Sequence, residues 1–353
     1  MMSTNQIQLN TPAPRKPWQK APSALVPDAI VFLVAFIAAE LTISLTGFKG
    51  RLALLLLFTL YSTVGSMALA FKRRGIMAMS DALASSFIYL SIALVGLPLF
   101  SVIFTVILRG RHALRINTFT QDMSVAQPDA PFSQGGALYA IVGTILLVLI
   151  ATAISVPIGV LTGLYLTEVR GKAEGLIRFL VQAMSGVPSI VAGLFIYAVW
   201  IVGGHGGFSG FSGALALSIL MLPTVARTAE EVLKLIPNDL REAGVALGGT
   251  QWRTVAMVVL PAARSGLITA TVLGIARVAG ETAPLLLTIF GTTTNHFNPF
   301  VGPMSALPIY VFQLLGTGLN VAIDRAWTGA LVLLVLVSVL FALARGIGRR
   351  TKS

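Results

Sequence analysis

The chain has 353 residues, 56% hydrophobic and 11% charged, with a formal net charge of +12 and a mean hydropathy of +0.86. Soluble domains carry about a quarter charged residues, so this composition excludes an ordinary soluble domain and reads as an all-α, polytopic membrane protein. The absence of cysteine excludes disulfides and thiolate metal sites, and the basic residues flank apolar runs instead of interleaving with aromatics, which argues against nucleic acid.

Residues 1–28, with five prolines and three Lys/Arg, lack the apolar core and cleavage site of a signal peptide and read as a disordered tail. About eight transmembrane helices are expected, at 29–46, 51–71, 83–108, 137–166, 176–203, 211–226, 263–290 and 326–345, since a span needs roughly 20 apolar residues. Glu40 interrupts the first of them, facing either a core subunit or the outer interface. The run GVLTG at 159–163 has the small-xxx-small spacing that permits close helix approach. Ser185-Gly-Val-Pro-Ser189 places a helix break inside the fifth span, where it either lines a path or serves packing. The sixth span runs on into amphipathic RTAEEVLKLI as one helix leaving the membrane, and 304–315 is too short to cross. With eight spans both termini share a side. Placing them in the cytoplasm leaves eighteen Lys/Arg inside against six outside, although Arg109, Arg111 and Arg115 run against the bias. The tail 347–353 is then basic and cytoplasmic.

The loop between the sixth and seventh spans, 227–262, carries a design of its own. Pro237 ends the preceding helix and Asn238 is a good N-cap, with Asp239 and Glu242 in the first turn. Leu240, Ala243, Gly244 and Leu247 form an apolar stripe, opposite a polar face of Asp239, Arg241 and Glu242. Gly248-Gly249 stops the helix, and Thr250 caps a second one running to Pro261. A knob shaped for a protein groove fits this better than a helix lying on lipid, whose polar face would be Lys-rich.

Glu242-Ala243-Gly244, three residues, Gly248, nine residues, then Val258-Val259-Leu260-Pro261 resembles the EAA loop of ABC-importer permeases. Gly244 and Val258 depart conservatively from that pattern. The resemblance implies a coupling helix docking into an ATPase subunit, with Glu242 and Gly248 carrying the coupling and the turn. ARVAGETAP, SGVPSIVAGL (185–194) and TVARTAEEVLKLIP (224–237) are similar to the permease subunits of phosphate-specific importers, and GETAP to their PstA type. The likeness covers roughly 83–345. It implies a six-helix type I permease domain within 76–346, preceded by two additional helices at 29–75 whose role it leaves unexplained.

Arg277 and Glu281 are the only charges between Arg264 and Asp324. At i, i+4 on one helix they would share a face. Arg277 lies about twelve residues from the cytoplasmic start of its span, near the bilayer midplane, where a lone arginine costs about 3 kcal/mol on insertion scales. Its planar fork suits an oxyanion. Glu281 would neutralise it until substrate arrives, or accept a hydrogen bond from a protonated phosphate. The expected substrate path is Arg277, Glu281, Thr282, Ser185 and Ser189. Coupling falls to Glu242, Ala243, Gly244, Gly248, Leu260 and Pro261.

No P-loop motif occurs, and His112, His205 and His296 are scattered, so neither ATP nor a metal is expected on this chain; ATP-Mg belongs to the ATPase. No Ser/His/Asp or paired-carboxylate arrangement suggests an enzyme. The expected role is the permease subunit of an ATP-driven phosphate importer in a bacterial cytoplasmic membrane. Its partners would be a homologous permease, an ATPase dimer, a soluble phosphate-binding protein and membrane lipid. The alternatives are a permease for another oxyanion or phosphonate, or a proton-coupled secondary anion transporter.

Overall fold

The structure is a computed structural model that describes residues 22–47 and 50–349; most of the expected N-terminal tail and the end of the basic C-terminal tail lie outside them. Among the described residues the regular structure is helix, apart from a single bridge between Phe290 and Met304. The chain forms two compact units, Met1–Val102 and Ile103–Ser353.

In the first unit, α1 (Pro22–Thr46) and α2 (Arg51–Arg74) form a hairpin. α1 begins inside the stretch expected to be tail, because Pro22 has the φ of a first helical residue and needs no N–H there. Small side chains let the two helices approach closely. Ala35 and Ala39 are buried, and a Cβ on Gly65 would stand 2.7 Å from Val31 Cγ1. Thr42 and Tyr61 share a hydrogen bond of 2.9 Å, and Arg73 pairs with Asp28 at 3.3 Å. Glu40 points away from this seam and is exposed. α3 (Ile76–Gly110) leads into the second unit.

There, α4 (Asn117–Thr120) lies in the loop before α5 (Leu138–Leu164), which continues as a π-helical turn at Tyr165–Val169. α6 (Glu174–Ser185) and α7 (Ser189–Ile196), the latter extended by a π turn at Tyr197–Val202, meet at 105°. Gly186 and Pro188 make this break, as the sequence led us to expect. α8 (Gly210–Lys234) is one unbroken helix. α9 (Asn238–Ala246) and α10 (Gln251–Thr254) follow, and a π turn at Val255–Val259 joins α10 to α11 (Leu260–Ala279). Then come α12 (Ala283–Thr288), α13 (Leu307–Gly316) and α14 (Asn320–Arg349). Among the described residues seven helices are long and apolar enough to cross a membrane, and the bent α6–α7 pair brings the number to eight if it counts as one span.

The core of the second unit lies where α5, α8 and α11 meet, around Leu147, Leu217, Met221, Val225 and Val278. Glycines set the spacing. A Cβ on Gly159 would come within 2.8 Å of Val225, and one on Gly163 within 3.0 Å of Ala229. The GVLTG spacing therefore works as read. On the third side, a Cβ on Gly274 of α11 would meet Val225 at 2.8 Å. α13, too short to cross, packs through Leu307, Ile309, Tyr310 and Leu314, all buried.

Candidate functional site

Two places carry the residues singled out by sequence: the hairpin between α8 and α11, and the chain break after α11.

At the hairpin, Pro237 sits in extended conformation at the cap of α9, and Asn238 is the first helical residue. Asn238 was expected to cap this helix. Instead its Oδ1 accepts a bond from Arg241 at 3.2 Å, so the arginine takes the side chain that would have served the helix end. Gly248, at φ +83°, makes the left-handed turn that ends α9 and that a side chain would strain. Thr250 caps the next helix by accepting from the Arg253 N–H at 3.4 Å. That helix was expected to stop at Pro261 but runs on to Ala279. The π turn at Val255–Val259 widens the helix where Pro261 would otherwise strike the Met257 carbonyl, and proline's missing N–H costs little there.

α9 is held at one edge and bare elsewhere. None of its residues is buried, and Leu240 and Leu247 of the apolar stripe are 41% and 90% exposed. Gly244 packs against α10 so closely that a Cβ would stand 2.5 Å from Thr254 Cγ2. The departure from a third alanine in the EAA pattern thus has a local steric reason. Arg241, read from sequence as part of the exposed polar face, turns inward. Its guanidinium binds Glu168 of the π turn after α5 at 2.8–3.1 Å and donates to the carbonyls of Leu233 and Ile236. Glu242 stays exposed, at the rim of a cavity of about 630 Å³ lined also by Glu168, Val245, Thr254 and Val259.

Glu168 was not identified from the sequence. Its only signal was a carboxylate directly after an apolar span, which the count of Lys and Arg alone did not register. A second ionic tie lies nearby. Glu230 of α8, 5% exposed, pairs with Arg178 of α6 and with Lys234, anchoring the bent α6 to α8.

At the break, α11 ends at Ala279, with Gly280 at its cap, and Glu281 and Thr282 are not helical. The reading of Arg277 and Glu281 as neighbours on one helix face is therefore corrected: they lie on either side of a break in the helix. Pro284 is the cause. In a continuing helix its ring would collide with the carbonyl of Gly280, and glycine there resists the helix least. Arg277 is exposed on the outer side of α11, while Gly274 and Val278 face the core; Glu281 and Thr282 are half-buried. The break is packed against α7, where a Cβ on Gly193 would stand 2.6 Å from Pro284 Cα. Two of the three matching motifs thus meet in space. Ser189 opens α7 and is half-buried, whereas Ser185, exposed, bonds the Val181 carbonyl at 2.8 Å.

A helical bundle with enough apolar spans to be multi-pass, carrying an unburied EAA-type hairpin on a loop between two spans, defines a membrane component of an ABC-type transport system. The chain belongs to the PstA-type permeases of that class. The family described as "binding-protein-dependent transport system inner membrane component" matches residues 155–353. The chain is 39% identical over 248 residues to the phosphate transport system permease protein PstA of Pasteurella multocida, covering 69% of this chain and 85% of that protein. It is 36% identical over 260 residues to PstA 1 of Mycobacterium tuberculosis (strain CDC 1551 / Oshkosh), covering 73% and 85%. Against PstA of Haemophilus influenzae the identity is 39% over 238 residues, covering 67% and 82%.

Proposed function

We propose that this chain is the membrane-spanning permease subunit of an ATP-driven importer of inorganic phosphate. It works beside a homologous permease, two ATPase subunits and a soluble phosphate-binding protein, with both termini in the cytoplasm. ATP binding and hydrolysis reside in the partner ATPase. The observation that carries this reading is the state of α9: an EAA-type helix whose apolar stripe is left bare, in a chain whose relatives are named as phosphate permeases. Burying a leucine side chain contributes about 1.5–3 kcal/mol, so such a stripe favours a protein groove over water. Glu242, Ala243, Gly244 and Gly248 shape the docked hairpin, and Leu260 and Pro261 begin the membrane helix that it moves.

Arg277 supports the other half of the reading. It is exposed from its own bundle on an apolar helix, a position in which lipid contact is costly. A second permease covering this face would enclose it in a polar path, where its fork can hold a phosphate oxyanion by two parallel hydrogen bonds. Glu281, Thr282, Ser185 and Ser189 complete the proposed path, with Glu281 accepting a hydrogen bond from protonated phosphate that sulfate cannot offer.

Labelled-phosphate uptake tests both halves. Arg277→Ala is expected to abolish uptake while the complex still assembles, with excess sulfate leaving wild-type uptake unchanged. Glu242→Lys is expected to leave an assembled complex in which ATP hydrolysis no longer drives uptake. Normal phosphate uptake in either variant would overturn the role given to that residue.

A further inference from the structure

The hairpin touches the rest of the chain through few polar contacts, and these converge on one residue. Glu168 lies in the π turn that ends α5, and its side chain is only 6% exposed. Its two carboxylate oxygens take three hydrogen bonds from Arg241, two at 3.1 Å and one at 2.8 Å. Its backbone carbonyl accepts a fourth from Gln251 Nε2 at 2.6 Å. Arg241 belongs to α9 and Gln251 to α10, so a single residue at the end of α5 grips both arms of the hairpin. The remaining Arg241 donors reach the carbonyl of Leu233 in the last turn of α8 and that of Ile236 just beyond it, which adds a second membrane helix to the same knot.

A charged pair this sheltered keeps its geometry only if nearly every donor and acceptor is met, and here they are. It is also narrow. α9 rests on Thr254 through Gly244 and lies against the π turn at Val255–Val259, but none of its residues is buried, so the ionic knot is the main polar restraint on the hairpin pivoting at Gly248. The π turn suits this task, since it offsets the end of α5 and aims Glu168 at α9.

We propose that Glu168 is a positioning residue for coupling: with Arg241 and Gln251 it locks the α9–α10 hairpin to the end of α5, so that a displacement of the hairpin moves α5 with it. This rests on the reading of α9 as the coupling helix. It adds a second route into the membrane, through α5, to the direct covalent one through α11.

The chain contains no cysteine, so labels can be placed singly. Nitroxides at Leu161→Cys on α5 and Val245→Cys on α9, both exposed positions and the latter outside the apolar stripe, report the distance between them in the assembled transporter. With Glu168 present, that distance is expected to be narrow and unchanged between the nucleotide-free and ATP-vanadate states. With Glu168→Gln it is expected to broaden and to shift with nucleotide, while phosphate taken up per ATP hydrolysed falls by about tenfold. Reversing the pair, Glu168→Arg with Arg241→Glu, is expected to restore part of both; Arg241→Lys, which keeps the charge but loses the fork, should fall between. A Glu168→Gln distance as narrow and nucleotide-insensitive as wild type overturns the proposal, and so does a broadened distance with unaltered uptake per ATP. Failure of the coupling reading looks different: Glu242→Lys would then transport normally, whatever the Glu168 labels report.

Discussion

Single residues in the hairpin are set by space and by backbone angle more than by helix propensity. Gly244 lowers intrinsic helicity by about 1 kcal/mol relative to alanine, yet alanine there would press its Cβ to 2.5 Å from Thr254. We expect Gly244→Ala to destabilise the hairpin, at the about 1–3 kcal/mol typical of overpacking, and Gly244→Ala with Thr254→Ser to recover most of it. Protease susceptibility of the 238–254 segment would show this, and a single variant as resistant as wild type would contradict it. Gly248 has nothing within 4 Å but a φ of +83°, so its requirement is angular, and Gly248→Asn should be milder than Gly248→Val. Arg241 is the opposite case. Spacing placed it on a polar face, but only the position of Glu168, 73 residues earlier, turns it inward.

At the scale of elements, the broken helices are where local rules and tertiary contacts combine. The bend between α6 and α7 was legible because Gly186, Pro188 and two serines are poor helix formers in a row. The break after Ala279 was written equally plainly in Gly280 and Pro284. It was underestimated because the apolar run continues across it and hydropathy counts composition, not hydrogen bonds. The loop before α5 is a further element with its own order. Arg325, 5% exposed, donates to the carbonyls of Ala130, Pro131 and Gln134, and Asn117 bonds those of Phe132 and Gly135. Asp122 ties this loop to Asn295, and the Ser124 hydroxyl, with the N–H groups of Ser124 and Asn295, holds its carboxyl below the ordinary aspartate range against the opposing effect of burial. A depressed folded pKa gives stability that is present above the unfolded value, about 3.9, and lost as pH falls through the lower folded value. Amide exchange in 117–136 is therefore expected to speed up, relative to the core, below about pH 4, and Asp122→Asn to show that faster exchange already at neutral pH.

For the whole molecule, the bundle depends on three helices meeting through glycine. Gly159→Leu is expected to force α5 from α8 at Val225 and reduce the amount of folded chain in the membrane, while Leu161→Ala on the exposed face leaves it unchanged. Detergent-resistant folded fraction by size exclusion would separate them. The proposed importer as a whole makes a further claim: uptake should stop with vanadate and survive an uncoupler, and the ATPase should co-elute with this chain. A proton-coupled carrier would show the reverse.

Composition, apolar run length and the EAA-type spacing were sufficient by themselves for the all-helical, multi-pass class and the place of the hairpin. Each of these depends on hydrophobicity and on residues within a few positions of one another, where the physics is local. What only the tertiary structure decided is which side chains meet: Glu168 with Arg241, Gly193 with Pro284, and Arg277 turned away from its own core. These contacts join residues tens of positions apart, and a helix face has no partner until the packing of its neighbours assigns one.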